Sequence, residues 1–443
     1  MNDKQDFTTG SISGKLAAFM GPVFLALVLQ AMYSAVGLLI VGRFGTTAGI
    51  SGVSTGSSVM NLVTFVTTSL TAAVTIVIGR YIGEGNQKKI GRLVGSASVF
   101  FVLYAVVISI ILIIAARPLA ILMQAPEEAV DLTATYIRIC GGGFLFIAFY
   151  NFISAIFRGL GDSRMPLVFV GIACFINIVM DYILIAIFSM NVAGAAIATV
   201  TAQAVSVVIS LIVMKHKNLP FTIEKKDFCF SDEIGKFLSI GFPMALQELL
   251  TNISFLCLVS FVNRLGLDAS SGYGVAQKIQ SFIMLIPSSI MQSLGTFVSQ
   301  NVGAGQNTRA KKGMLFTMTV GAVVGVVIAL TIFLRGDAVS SIFTSDLAVI
   351  ARSFEYLKGF AVEAVVTSIL FSYMGYFNGN SRSLFVMIQS VAQAFLVRLP
   401  MSYFMSIQPD ASLTHIGMAA PTATCFGIIL CTIYYIKMQK EKS

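Results

Sequence analysis

Twelve apolar stretches, each long enough to cross a bilayer, constrain this chain more than any other feature. They run at about 16–40, 50–78, 93–116, 132–156, 166–188, 192–214, 237–262, 271–299, 313–334, 353–377, 383–406 and 416–436. A helix needs about 20 apolar residues to span the hydrocarbon core. No water is available there, so each segment must satisfy its own backbone N–H and C=O groups, and helices do so. A β-barrel would instead show alternating strands of about ten residues. Composition agrees: 56% of the 443 residues are hydrophobic and only 11% are charged, against about 25% charged in soluble domains. So little charge cannot cover the surface of a soluble protein of this size, and a disordered chain would be polar and poor in aromatics. The expected fold class is an all-α membrane protein with twelve transmembrane helices and little room for a soluble domain.

Charge sets the orientation. The chain has 29 Lys and Arg against 20 Asp and Glu, a net charge of +9. In a soluble protein that excess would suggest nucleic acid. Here it fits the enrichment of Lys and Arg in cytoplasmic loops, and no nucleic-acid partner is expected. With the N-terminus inside, 20 of the 29 cationic side chains, from Lys4 to Lys442, fall on the inner side, 8 lie toward the outer side, and Lys278 lies within a span. An even number of spans then places both termini in the cytoplasm of a multi-pass protein of the cell (inner or plasma) membrane. The first apolar stretch is too long for a signal-peptide core and has no small-residue cleavage site, so it reads as a retained helix. Of the six cysteines, five lie in apolar stretches and none forms a C-x-x-C pair; buried small hydrophobes are expected, not disulfides or metal ligands.

The two halves repeat each other. Ile78–Gly91 reads IGRYIGEGNQKKIG and Val298–Lys311 reads VSQNVGAGQNTRAK, so that Gly83 and Gly85 fall on Gly303 and Gly305 at an offset of 220. FRGLGDSR at Phe157–Arg164 answers FNGNSR at Phe377–Arg382; Pro22, Arg43 and Gly45 answer Pro243, Arg264 and Gly266; Gly194 and Thr199 answer Gly417 and Thr422. Six helices per copy keep both copies in one orientation. The expectation is two six-helix lobes related by a parallel pseudo-two-fold repeat, with a central site between them. The boundaries are an N-lobe at 1–218, a cytoplasmic linker at 219–236 and a C-lobe at 237–443.

These features resemble the multidrug and toxic compound extrusion (MATE) family of cation-coupled antiporters, over essentially the whole chain. The most specific runs are QNVGAGQ at Gln300–Gln306, FRGLGDSR, the Asn177–Tyr182 run NIVMDY, and Gly241-Phe242-Pro243 followed by Gln247. The resemblance implies a secondary active antiporter that exports amphipathic or cationic organic compounds (multidrug efflux) in exchange for H+ or Na+ by alternating access. It implies no cofactor, small organic molecules and the lipid bilayer as partners, and a monomer.

Ionisable side chains at bilayer depth cost about 2.5–3.5 kcal/mol each on insertion scales and are functional by default. They are Asp181, Glu248, Lys278, Glu363 and Arg398. Asp181 follows Asn177 by one turn and shares its face; the resemblance gives both a role in a proton-linked N-lobe network, against a plain helix-packing hydrogen bond. The family's partner acid in the first helix aligns with Gly37 here, while Gln30 and Ser34 keep polar groups on that helix. Glu248 and Glu363 lie in helices seven and ten, where many members carry ion-binding acids, so Na+ is expected near them. The aligned positions themselves hold Thr251 and Thr367, and the carry-over is by helix. Lys278 is a candidate salt-bridge partner for either glutamate, as a structural pair or as a competitor of the coupling ion. Arg398, just before Leu399-Pro400, is expected to snorkel to the interface.

Asn61, Thr64, Thr68, Thr71 and Thr75 form one stripe on helix two; Gln389 and Gln393 are one turn apart, as are Glu248 and Asn252. A hydrated cavity lining and interhelical hydrogen bonding are the two readings. The cavity set is Gln30, Ser34, Asn61, Thr64, Thr68, Asn252, Lys278, Thr367, Gln389 and Gln393. An enzyme is not expected: GEGNQKK lacks the phosphate-loop spacing, and there is no H-E-x-x-H or G-x-S-x-G. The alternative function is a lipid-linked precursor flippase of the wider superfamily. Such proteins tend to have extra helices and a strongly cationic cavity, whereas only Lys278 is clearly cationic at depth here.

Overall fold

The computed structural model describes residues 6–409 and 411–441; Lys4 and Lys442, counted above on the inner side, lie outside them. The described chain is helical, with no strand. The N-terminal half supplies α1 (Ile12–Phe44), α2 (Thr47–Gly83), α3 (Gln87–Leu122), α4 (Val130–Gly142), α5 (Phe144–Gly159), α6 (Arg164–Asp181) and α7 (Asn191–His216). The C-terminal half supplies α8 (Asp232–Asn263), α9 (Leu267–Ile283), α10 (Leu285–Gly303), α11 (Asn307–Ser340), α12 (Leu347–Phe360), α13 (Glu363–Gly379), α14 (Ser383–Ala392), α15 (Leu399–Ser406) and α16 (Leu413–Lys440). Ten helical stretches of the described chain are long and apolar enough to cross a membrane, and counting each bent pair α4–α5 and α12–α13 as one span makes twelve.

The repeat is visible in backbone detail. In each half the fourth span is broken, by 53° between α4 and α5 and by 48° between α12 and α13. In each half the fifth span contains a wider π-type turn, Tyr182–Ile187 after α6 and Gln393–Arg398 after α14. Such turns recur at functional sites. The duplicated motifs close in the same way. Asn86 N–H bonds to Tyr81 C=O at 2.9 Å and Gln306 N–H to Asn301 C=O at 2.7 Å; Asp162 N–H bonds to Phe157 C=O at 2.9 Å and Arg382 N–H to Phe377 C=O at 2.8 Å. Gly85 and Gly305 take φ of +67° and +72°, the left-handed region that a residue without Cβ enters freely. The GEGNQKK run is therefore a tight turn, and Asn86 caps α3 by accepting from Lys89 N–H at 3.3 Å.

The chain packs as two compact units. One holds Gly21–Ala245, Gly303–Gly305 and the described residues up to Gly10; the other holds Ser11–Met20, Leu246–Val302 and the described residues from Gln306 onward. The packing border thus falls inside α8, after Ala245, and the linker belongs to the first unit. A short 3-10 turn at Lys225–Asp227 is closed by reciprocal capping between Glu224 and Asp227. Ser231 shares a 2.7 Å hydrogen bond with Ser96 of α3. Tyr81 donates to the buried Glu233 at 2.5 Å, and Lys236 donates to both, at 3.0 and 2.8 Å. These bonds fix the linker and the start of α8 to the C-terminal end of α2 and the first half of α3. The core of the first unit is largely aliphatic and phenylalanine, with Phe101 stacked on Phe237 at 6.1 Å; that of the second centres on Tyr273, Tyr356 and Phe360. All six cysteines are free; Cys140, Cys174 and Cys431 are buried, Cys257 is half-buried, and Cys229 and Cys425 are exposed.

Candidate functional site

In the first unit, α6 ends on Asp181, directly before its π-type turn. Asn177 and Asp181 are 3% and 2% exposed, so the one-turn spacing buries both. Asp181 Oδ1 accepts no hydrogen bond within the described structure, and no cation pairs with it. Its other oxygen faces α1: a Cβ placed on Gly37 would lie 3.1 Å from Asp181 Oδ2. The helix 1 position picked out by alignment therefore lies beside the carboxylate, and glycine is what lets the two helices approach there. Gln30 is half-buried and Ser34 exposed on the same helix.

In the second unit, Glu363 is the first residue of α13, immediately after the break in the fourth span. It is buried, and Thr424 of α16 donates to its Oε1 at 2.8 Å. Its Oε2 accepts no hydrogen bond within the described structure. Thr367, one turn on, is buried as well. The cation buried in this unit is Arg398, not Lys278. Arg398 is 8% exposed and donates from Nε and Nη2 to Ser254 Oγ at 3.1 and 2.9 Å. Its guanidinium lies 4.2 Å from the Phe255 ring centroid.

Two expectations are corrected here. Arg398 does not snorkel: the π-type turn it completes directs it inward onto α8. Lys278 is exposed on α9 and forms no ion pair within the described structure, so it partners neither glutamate. Glu248 is half-buried, and its backbone carbonyl accepts from the Asn252 side chain at 2.8 Å. No group of three His, Cys, Asp or Glu that could hold a metal occurs among the described residues.

The polar stripes divide. On α2, Asn61 is exposed and Thr64 half-buried, bonded to its own helix at Met60 C=O, 2.8 Å. Deeper, Thr68 donates to Asn151 Oδ1 at 3.4 Å and Thr75 to Ala155 C=O at 2.9 Å, both on α5. The lower part of the stripe is helix packing, and only the upper part is free to meet another molecule. Gln389 and Gln393 bond each other at 2.7 Å and fill the space left by Gly427 of α16, where a Cβ would strike both amides. They are packing residues of the second unit. Arg398, Ser254 and Thr424 were missed as site residues. Arg398 was visible in the sequence as an intramembrane cation, whereas nothing in the sequence marked Ser254 or Thr424.

Two copies of one six-span helical repeat, each with a buried acid, define a polytopic membrane protein of the transporter class. The chain belongs to the MatE family, whose sequence profile matches residues 22–183 and again 243–404. It is 27% identical over 431 residues to the probable multidrug resistance protein YpnP of Bacillus subtilis, covering 97% of this chain and 96% of that protein. The multidrug export protein MepA of Staphylococcus saprophyticus is 22% identical, with 92% and 90% covered. The solved outward-facing structure of a multidrug resistance MATE family transporter superimposes with a TM-score of 0.94 at 19% identity, over 100% of this chain and 99% of that one.

Proposed function

We propose that this chain is a secondary active antiporter that exports amphipathic or cationic organic compounds while H+ or Na+ moves inward. The observation that carries this is Asp181: a carboxyl 2% exposed, deep in a span, with one oxygen unpartnered and no cation to balance it. Such a group is costly in lipid and is suited to bind and release a small cation. Relatives named for multidrug resistance and export support the cargo class. Alternating access follows if loading of the acid changes the relative stability of two states, because a ligand shifts an equilibrium only through different affinities for them. Both termini lie in the cytoplasm in this reading, the N-lobe, linker and C-lobe divide at 1–218, 219–236 and 237–443, and one chain suffices. The test is reconstitution in liposomes with ethidium as cargo and pH or Na+ gradients imposed separately. Transport driven by at least one gradient is expected. Ethidium movement indifferent to both, or headgroup translocation of a labelled lipid without ethidium transport, would overturn the reading.

A further inference from the structure

The linker between the halves is docked on the side of α3 that, further along the helix, is bare for lipid. Arg92, Leu103, Val106, Ile110 and Ile114 recur at helical spacing on that side, and all five are exposed. Gly95 and Ser96, one turn after Arg92, are buried instead, because the linker covers them. A Cβ on Gly95 would strike Asp227 C=O at 2.6 Å, and one on Gly91 would strike Thr222 C=O; Ser96 Oγ bonds Ser231 Oγ at 2.7 Å. The apolar stretch of α3 begins at Leu93. Residues 227–231 therefore lie within about one helical turn of the level at which the hydrocarbon core begins. In this covering segment Phe228 and Phe230 are 53% and 65% exposed, with Cys229 exposed between them. Open rings at that level suit the membrane–water boundary, where aromatic side chains concentrate. Lys225, Lys226 and Arg92 stand close to them in the chain or on the covered helix, and all are exposed. The acids nearby are already engaged. Asp227 Oδ2 accepts from Glu224 N–H at 2.8 Å, Glu233 is buried and bonded to Tyr81 and Lys236, and Glu224 meets Lys226 at 2.7 Å in an open pair of the kind that contributes little.

We propose that the linker is a membrane anchor: Phe228 and Phe230 enter the boundary between headgroups and acyl chains, while Lys225, Lys226 and Arg92 bind the phosphates of anionic phospholipids. Aromatic rings beside cations are the composition by which interfacial segments hold an anionic membrane. The lipid holds the linker on α3 from outside, as Asp227 and Ser231 hold it from within. This goes beyond the antiport reading and takes from it only the leaflet, which is the cytoplasmic one.

The chain has no Trp, so Phe230→Trp supplies a single fluorophore to the full-length protein. In nanodiscs of phosphatidylglycerol and phosphatidylcholine, its emission should be quenched by lipids brominated near the carbonyl end of the acyl chain and shielded from aqueous iodide; Phe228→Trp should behave alike. Thermal unfolding of the parent should shift to higher Tm when phosphatidylglycerol is added to phosphatidylcholine discs. Lys225→Gln, Lys226→Gln and Arg92→Gln combined should lose most of that shift, whereas Lys311→Gln with Lys312→Gln, two exposed cations at the start of α11, should keep it. Emission open to iodide and indifferent to brominated lipid in both Trp variants would overturn the proposal and leave this face to a protein partner. So would a lipid shift that is absent from the parent, kept by the triple variant, lost equally by the α11 variant, or reproduced by inorganic phosphate in phosphatidylcholine discs. Nanodiscs expose both faces of the membrane, so these results decide the anchor whichever side the termini occupy, and ethidium transport, measured separately, decides the antiport reading.

Discussion

The fifth span of each half carries a charged residue at an edge of its π-type turn, but at opposite edges and with opposite signs. In the first unit it is an acid, Asp181, facing a glycine. In the second it is a cation, Arg398, held by Ser254 and Phe255. The fourth spans differ in the same sense. At the repeat offset of 220, Glu363 answers Gly143, so the break in one span holds a glycine pressed against Val200, and the residue just after the break in the other is an acid. Duplication preserved the backbone breaks, turns and loop closures. Divergence went into the side chains at those breaks. An acid without a counter-charge can be neutralised only by something that arrives and leaves. Asp181 is such an acid, whereas Arg398 is a cation whose donors the protein itself holds.

The largest contrast should appear in stability. Arg398→Ala removes the charged donors that hold Ser254 Oγ and the guanidinium laid over Phe255, at a cost of roughly 1.5–3 kcal/mol. Asp181→Asn removes no partner and should change stability by less than about 1 kcal/mol. Denaturation of both variants in detergent checks the difference, and equal losses would break the comparison. A smaller effect is expected at Gly37→Ala. Its Cβ would meet Asp181 Oδ2 at 3.1 Å, which should cost about 1 kcal/mol of overpacking and slow ethidium efflux by displacing the carboxylate. The corresponding stability measured in Asp181→Asn, where the new amide can adjust, sharpens whether the acid itself is the obstacle. Effects of comparable size should be matched across the halves. Gly85→Ala and Gly305→Ala each force a Cβ into a left-handed turn, for about 1–2 kcal/mol apiece, with no steric contact at either site. Unequal losses would mean that the repeat is less faithful in its loops than its hydrogen bonds indicate.

Much of the fold was legible because lipid makes spans obvious: each of the twelve apolar stretches coincides with a span. The breaks were not legible, since 132–156 and 353–377 are as apolar through Gly143 and Ala361-Val362 as an unbroken helix would be. Asp181, Asn177 and Gly37 were found correctly as neighbours because helix spacing and the family pattern both fix them. Arg398 was misplaced because a cation near a helix end before Leu399-Pro400 looks the same in sequence whether it points outward or inward; the π-type turn that rotates it has no sequence mark. Lys278 failed for the complementary reason. Its depth could be read from the span, but the side of α9 it occupies could not. On α2, an unbroken 3–4 spacing concealed that Thr68 and Thr75 are taken up by α5 while Asn61 is not.

The central claim is that Asp181 carries the exchangeable ion. Its most direct test is ethidium transport in proteoliposomes by the parent chain and Asp181→Asn, comparing gradient-driven accumulation with exchange of labelled for unlabelled ethidium at no gradient. The account predicts that Asp181→Asn loses accumulation and keeps exchange. Accumulation by Asp181→Asn at the parent rate would contradict it.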